Sequence, residues 1–167
     1  MHYAPWAAIA VVYLAVLGCR SSPPPQLEPP PSPLRGIDFQ AEISLLRASP
    51  ARVSTTMTIV NRRPTPALLT FPSACLGLLR VYEESARTVP VWEQEAGEAC
   101  PASQERIPLL PGEEREVRLP HVEVREILGT ELPGGTYRFT VLVAPGGQVL
   151  EVEAGEVDLA RIRRSPD

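Results

Sequence analysis

The chain is predicted to fold as an all-β domain, an antiparallel β-sandwich of roughly seven to nine short strands. Three observations point there. Apolar residues recur with a period of two in segment after segment. Pro, Gly and Asn clusters interrupt those segments at short intervals. No apolar stripe of helical period stands out beyond the N-terminal stretch.

The elements follow in order. Phe39, Ala41, Ile43 and Leu45 alternate with Gln40, Glu42 and Ser44, as a strand with one buried face does. Val53, Thr55, Met57 and Ile59 repeat the pattern against Ser54, Thr56 and Thr58. Asn61-Arg62-Arg63-Pro64-Thr65-Pro66 must turn, because two prolines cannot donate to a ladder. Ala67, Leu69 and Phe71 make a short strand that Pro72 stops. Leu79–Tyr82 and Val89–Trp92 form the next pair, and Pro90 makes the second an edge strand or a bulged one. Glu93 to Glu105 is polar and turn-rich and reads as a loop. Ile107–Leu110 is short and apolar, Pro111-Gly112 turns, and alternation resumes from Glu113 through Val117 and Leu119. His121 to Leu128 fits neither period cleanly. Leu132-Pro133-Gly134-Gly135 is a turn ahead of the clearest strand, Thr136–Val143, with Tyr137, Phe139, Val141 and Val143 on one face. Pro145-Gly146-Gly147 leads into Val149–Val152, and a last strand covers Glu156–Leu159. Trp92 and Tyr137 are the large pieces expected in the core.

The N-terminal stretch is of another kind. An apolar run from Ala4 to Gly18 is broken only by Pro5 and is too short for a permanent membrane span. It ends in Leu14-Ala15-Val16-Leu17-Gly18-Cys19, which resembles the lipobox of bacterial lipoproteins. That resemblance implies cleavage between Gly18 and Cys19, a thioether-linked diacylglycerol on Cys19, and acylation of the new amino terminus. Ahead of the run stands His2 with no Arg or Lys, a departure from the positively charged start of most export signals. The proline-rich Arg20–Pro33 cannot enter helix or sheet and favours extended polyproline II. At about 3.1 Å per residue it reaches roughly 40 Å. The expected organisation is a signal peptide over 1–18, a lipid-anchored linker over 19–35, the sandwich over 36–160 and a tail over 161–167. The expected location is the extracytoplasmic face of the cell membrane or the outer membrane. Arg20, where an Asp would signal inner-membrane retention in enteric bacteria, favours the latter.

Cys75 and Cys100 remain as an even pair in an exported domain, where thiols tend to be oxidised. They are expected to form a disulfide; two separately buried thiols are the alternative. The 167 residues carry 16 basic and 20 acidic side chains, for a net charge of −4. Arg and Glu are interspersed, so no basic stripe offers itself to nucleic acid. Every basic residue is Arg, which excludes Schiff-base or lysine-base chemistry.

Catalytic and metal motifs are thin. His121 is the one histidine of the exported part, too few for a metal cluster, so no metal or cofactor is expected beyond the lipid. A triad would have to join His121 with Asp38 or Asp158, and no serine sits in a nucleophile elbow. Glu113-Glu114, Glu151 and Glu153 read as the solvated faces of strands, and Gly134-Gly135 and Gly146-Gly147 as turns. The chain is therefore expected not to be an enzyme.

Several landmarks are similar to the BsuPI-type domain, named after an intracellular proteinase inhibitor of bacilli. They are Met57-Thr58-Ile59-Val60-Asn61, Leu68-Leu69-Thr70-Phe71-Pro72-Ser73, Val91-Trp92, Leu110-Pro111-Gly112-Glu113 and Leu132-Pro133-Gly134-Gly135-Thr136-Tyr137. Cys75-Leu76-Gly77-Leu78 departs from the family, which often has a Gln-x-Tyr-Asp-like stretch there. The resemblance implies an immunoglobulin-like sandwich and, as one activity, proteinase inhibition outside the cytoplasm. The leading expectation is a tethered module that binds a protein partner through the loop holding Glu93, Glu95, Glu98, Pro101 and Glu105. A structural envelope component without a specific ligand is the further alternative.

Overall fold

A computed structural model describes residues 34–84, 88–96, 100–101, 103–129 and 132–160. The expected signal, the Gly18 and Cys19 processing site, the linker before Leu34, the tail and Glu98 lie outside the described residues.

Alternation becomes strand wherever one face can be buried. β1 (Ile37–Leu46) pairs antiparallel with β2 (Arg52–Asn61), Ile37 opposite Asn61 and Leu46 opposite Arg52. Val53, Thr55, Met57 and Ile59 point inward from β2 and are fully buried. β3 (Ala67–Phe71) pairs instead with β6 (Glu105–Leu109) in a separate two-stranded sheet. β4 (Leu78–Glu83) lies between β9 (Thr136–Val143) and the two-residue β5 (Trp92–Glu93). β7 (Glu114–Arg118) and the two-residue β8 (Val122–Glu123) both pair with β2. β10 (Leu150–Asp158) closes the second sheet against β9.

The described residues thus form a four-stranded sheet with the path β1-β2-β7, with β8 also on β2, facing a four-stranded sheet β10-β9-β4-β5. These orders correspond to A-B-E and G-F-C-C′ of an immunoglobulin-like sandwich. The expected fold class is the observed one, with ten strands, of which β5 and β8 are only two residues long. Between the sheets lie Met57, Ile59, Leu79, Val81, Phe139 and Val141, each no more than 1% exposed. Each such side chain contributes roughly 1.5 to 3 kcal/mol by leaving water. Tyr137 is buried, and its hydroxyl donates to the Pro133 carbonyl four residues back. That is the tyrosine corner of Greek-key sandwiches.

Four expectations change in detail. Val89–Trp92 shrinks to Trp92–Glu93: Pro90 has no N–H to give, and Val89 is 68% exposed. Trp92 is only half-buried against the core, since it lies on this edge. His121–Leu128 divides into β8 and the one-turn helix α1 (Val124–Leu128), which buries Val124, Ile127 and Leu128. The two last strands merge into β10, joined by a bulge where Gly155 has φ +111°. There the chain absorbs one extra residue and keeps pairing.

Candidate functional site

The disulfide forms as expected, with Cys75 and Cys100 Cα atoms 5.1 Å apart. The Ala74 amide donates to the Pro101 carbonyl beside it at 3.2 Å. The described residues of the expected interaction loop run from one sheet to another. Glu93 belongs to β5, and its carboxylate lies 3.2 Å from Arg80 Nε. Glu105 opens β6, opposite Phe71 in another sheet. Glu95 and Pro101 are exposed on the connection between them. Glu93 and Glu105, the two ends of the expected loop, thus stand in different sheets.

The residues that do converge lie around Asn61, at the end of β2. Asn61 is fully buried. Its Nδ2 donates to the carbonyls of Thr65 (3.0 Å), Leu109 (3.2 Å) and Leu110 (3.0 Å), and its Oδ1 accepts from the Arg63 amide. Its backbone N–H donates to the Glu113 carbonyl and its own carbonyl accepts from Gly112. One side chain thus ties the Arg62–Pro66 turn to the Leu110–Glu113 turn. Glu113 completes the second turn: Oε2 accepts from the Leu110 amide at 2.6 Å and Oε1 from Arg115 Nη2 at 2.7 Å. The Leu110 amide first, and then Arg115, hold the Glu113 carboxyl below its ordinary value despite some desolvation.

This turn sends β6 and β7 into different sheets, and a cleft opens between them. Its walls are Pro66, Ala67, Pro108, Leu109 and Leu110, with Glu113 and Arg115 opposite, around a volume of about 410 Å³. Leu110 is 65% exposed at its mouth. Leu68, directly opposite Pro108 across the β3–β6 pair, is 61% exposed and extends the apolar surface outward. None of these side chains was singled out as functional by sequence reasoning. The signal was available in Leu68-Leu69 and Leu109-Leu110: a strand of alternating faces cannot bury both members of an apolar pair.

A second polar cluster occupies the outer face of the β9–β4 sheet. Tyr82 Oη and Thr140 Oγ1 both donate to Glu151 Oε1, at 2.5 and 2.6 Å. Arg80 Nη1 lies 3.7 Å from Glu151 Oε2, and Arg138 pairs with Glu153 at 2.7 Å while its guanidinium stacks 4.5 Å over the Tyr82 ring. Burial, then the hydrogen bond to Glu151, pushes the Tyr82 hydroxyl pKa up. Burial pushes Glu151 up as well, but the bonds from Thr140 and Tyr82, with Arg80 and Arg138 nearby, outweigh it and the net shift is downward. Every one of these groups is engaged with another side chain, an arrangement that covers a sheet face rather than one that activates a nucleophile. Glu151, expected to be merely solvated, is the centre of this network.

His121 is exposed ahead of β8, Asp38 is bonded to Arg62, and the Asp158 carboxylate accepts from the Ala160 amide. No triad is assembled from them. Among the described residues no group of three or more His, Cys, Asp or Glu side chains could hold a metal ion.

No family model matches the chain, and no curated protein matches it. Among solved structures, a structural-genomics target designated SoR45 is 14% identical with a TM-score of 0.37, over 75% of this chain and 87% of that one. A β-glucosidase from Listeria innocua in complex with glucose is 19% identical with a TM-score of 0.36, over 71% of this chain. A GH3 β-glucosidase from Bifidobacterium adolescentis is 14% identical with a TM-score of 0.37, over 72% of this chain. The match spans only 16% and 17% of those two enzymes. Likenesses this distant assign no function, and the reading of this chain rests on its own geometry.

Proposed function

We propose that this protein is a lipid-anchored extracytoplasmic module that binds a protein partner through the cleft between β6 and β7. The observation that carries the reading is the exposed apolar wall of the cleft at Pro108 and Leu110, with Leu68 opposite Pro108 across the β3–β6 pair and both leucines more than half exposed. Contiguous exposed apolar surface on a small domain marks a place where another molecule sits. The Asn61 hub holds both turns beside the cleft, so little ordering entropy is lost on binding. The lipobox-like Leu14–Cys19 and the proline-rich stretch after it support tethering outside the cell. The reading is non-catalytic.

Capture from native envelope membranes tests the binding role, with the wild-type chain and a Leu68→Asp/Leu110→Asp variant as parallel baits. Both leucines are exposed, so the variant keeps its core. The expected result is a protein retained by the wild type and lost by the variant. Identical retention by the two baits would overturn the cleft as the binding surface.

A further inference from the structure

We infer that the cleft takes up its partner by strand addition: an extended segment pairs with the outer edge of β7 and lays its apolar side chains against Pro108 and Leu110. This rests on the proposed interaction role and specifies how that role is carried out. The phase of the β2–β7 ladder decides which main-chain groups of β7 stay open. The bonds from Asn61 N to Glu113 O and from Leu119 N to Thr55 O bracket the β2–β7 pairing. Arg115 and Val117 therefore turn their main-chain groups toward β2, and Glu114, Glu116 and Arg118 turn theirs the other way. Among the described residues no strand pairs with that outer edge, and no other backbone bond reaches those three residues. Three N–H and three C=O groups are thus presented in register, the template that β-augmentation uses.

The chemistry on either side of that edge selects the segment. The side chains of Glu114, Glu116 and Arg118 are exposed, whereas Arg115, which lines the cleft, and Val117, which packs against the core, are half-buried on the other face. An added strand continues both rows. Its residues opposite Arg115 and Val117 continue that half-buried row, the one beside Arg115 toward the cleft wall of Pro108 and Leu110, and must be apolar. Its residues opposite Glu114 and Glu116 face solvent beside two carboxylates and are best basic, and the one opposite Arg118 is best acidic. The partner is therefore a protein with an extended segment of alternating apolar and charged residues. Running antiparallel, its charges read acidic, basic, basic. The same charges keep the edge from pairing with unselected strands.

The experiment uses the full chain in detergent and a synthetic peptide of the pattern Glu-Val-Arg-Val-Arg-Val, with amide hydrogen exchange as readout. Strand addition protects the Glu114, Glu116 and Arg118 amides on adding peptide, while Arg115 and Val117, already bonded to β2, stay unchanged. N-methylating one peptide bond on the pairing side weakens binding about tenfold. A Glu114→Arg/Glu116→Arg variant weakens it about fivefold per site and accepts instead the peptide in which both Arg residues are replaced by Glu. Uniform exchange with and without both peptides, or binding indifferent to N-methylation, overturns strand addition. If envelope capture still depends on Leu68 and Leu110 in that case, the interaction role stands and only its mode falls.

Discussion

Asn61 shows how one polar side chain can decide the local architecture of an apolar domain. Deleting its amide removes the donor that the Thr65, Leu109 and Leu110 carbonyls share, and the Leu109 carbonyl loses it in a fully buried setting. Asn61→Ala is expected to cost about 2 to 3 kcal/mol, the order of leaving buried acceptors unsatisfied. Urea unfolding checks it, and a loss no larger than that of an exposed substitution would contradict the hub. The Tyr82–Glu151 pair gives stability a pH dependence with two limbs. Glu151 is held below its ordinary 4.5, so its contribution is present above that value and is lost as pH falls through the lower folded pKa. Tyr82 is raised above its ordinary 10.0, so its contribution is present below that value and is lost as pH rises toward the folded pKa. Thermal unfolding against pH should show both limbs in the wild type. In Glu151→Gln the acid limb flattens; an unchanged acid limb would remove the network as its source.

At the scale of elements, period-two alternation was a sufficient guide wherever a strand buries one face. β1, β2, β4 and β9 follow it along most of their length, with Met57, Ile59, Val81 and Phe139 inward, although Val60, Tyr82 and Thr140 are buried as well. It was insufficient at edges. β5 keeps two residues because Pro90 removes the donor that a longer strand would need. β8 and α1 share a segment in which Val122, Val124, Ile127 and Leu128 are all buried, a spacing that neither period describes alone. The cleft was hidden for a related reason. Sequence shows that one leucine of each apolar pair must face outward, but which sheet each strand joins decides where that leucine lies. Here β6 and β7 leave a single turn for different sheets, and no local pattern encodes that divergence. Close approach and positive φ single out two glycines. A Cβ on Gly77 would sit 2.5 Å from Val141 Cγ1. At Gly155 the nearest atom, Ile43 Cγ2, would be 3.7 Å away, so the backbone alone resists substitution. Gly155→Ala is expected to destabilise by about 1 to 3 kcal/mol through its positive φ. A midpoint equal to that of the wild type in urea would show the bulge to be dispensable.

For the whole molecule, the core of the described domain runs through both four-stranded sheets and the β3–β6 pair, and the Cys75–Cys100 bond links two stretches outside the ladders. On the chain-entropy account, a bridge spanning 25 positions contributes about 3 to 4 kcal/mol. A Cys75→Ser/Cys100→Ser variant should therefore unfold at a clearly lower temperature than the oxidised wild type. The wild type under reductant should follow the variant, and equal stability in all three would contradict a structural bridge. A disulfide of this weight suits an oxidising space, where the lipid anchor proposed at Cys19 would hold the domain. Top-down mass spectrometry of the protein extracted from its native membranes is the direct measurement. The account predicts a mature chain that starts at Cys19 and carries a diacylglycerol thioether with an acylated amino terminus. A chain that keeps residues 1–18, or an unmodified Cys19, would contradict it.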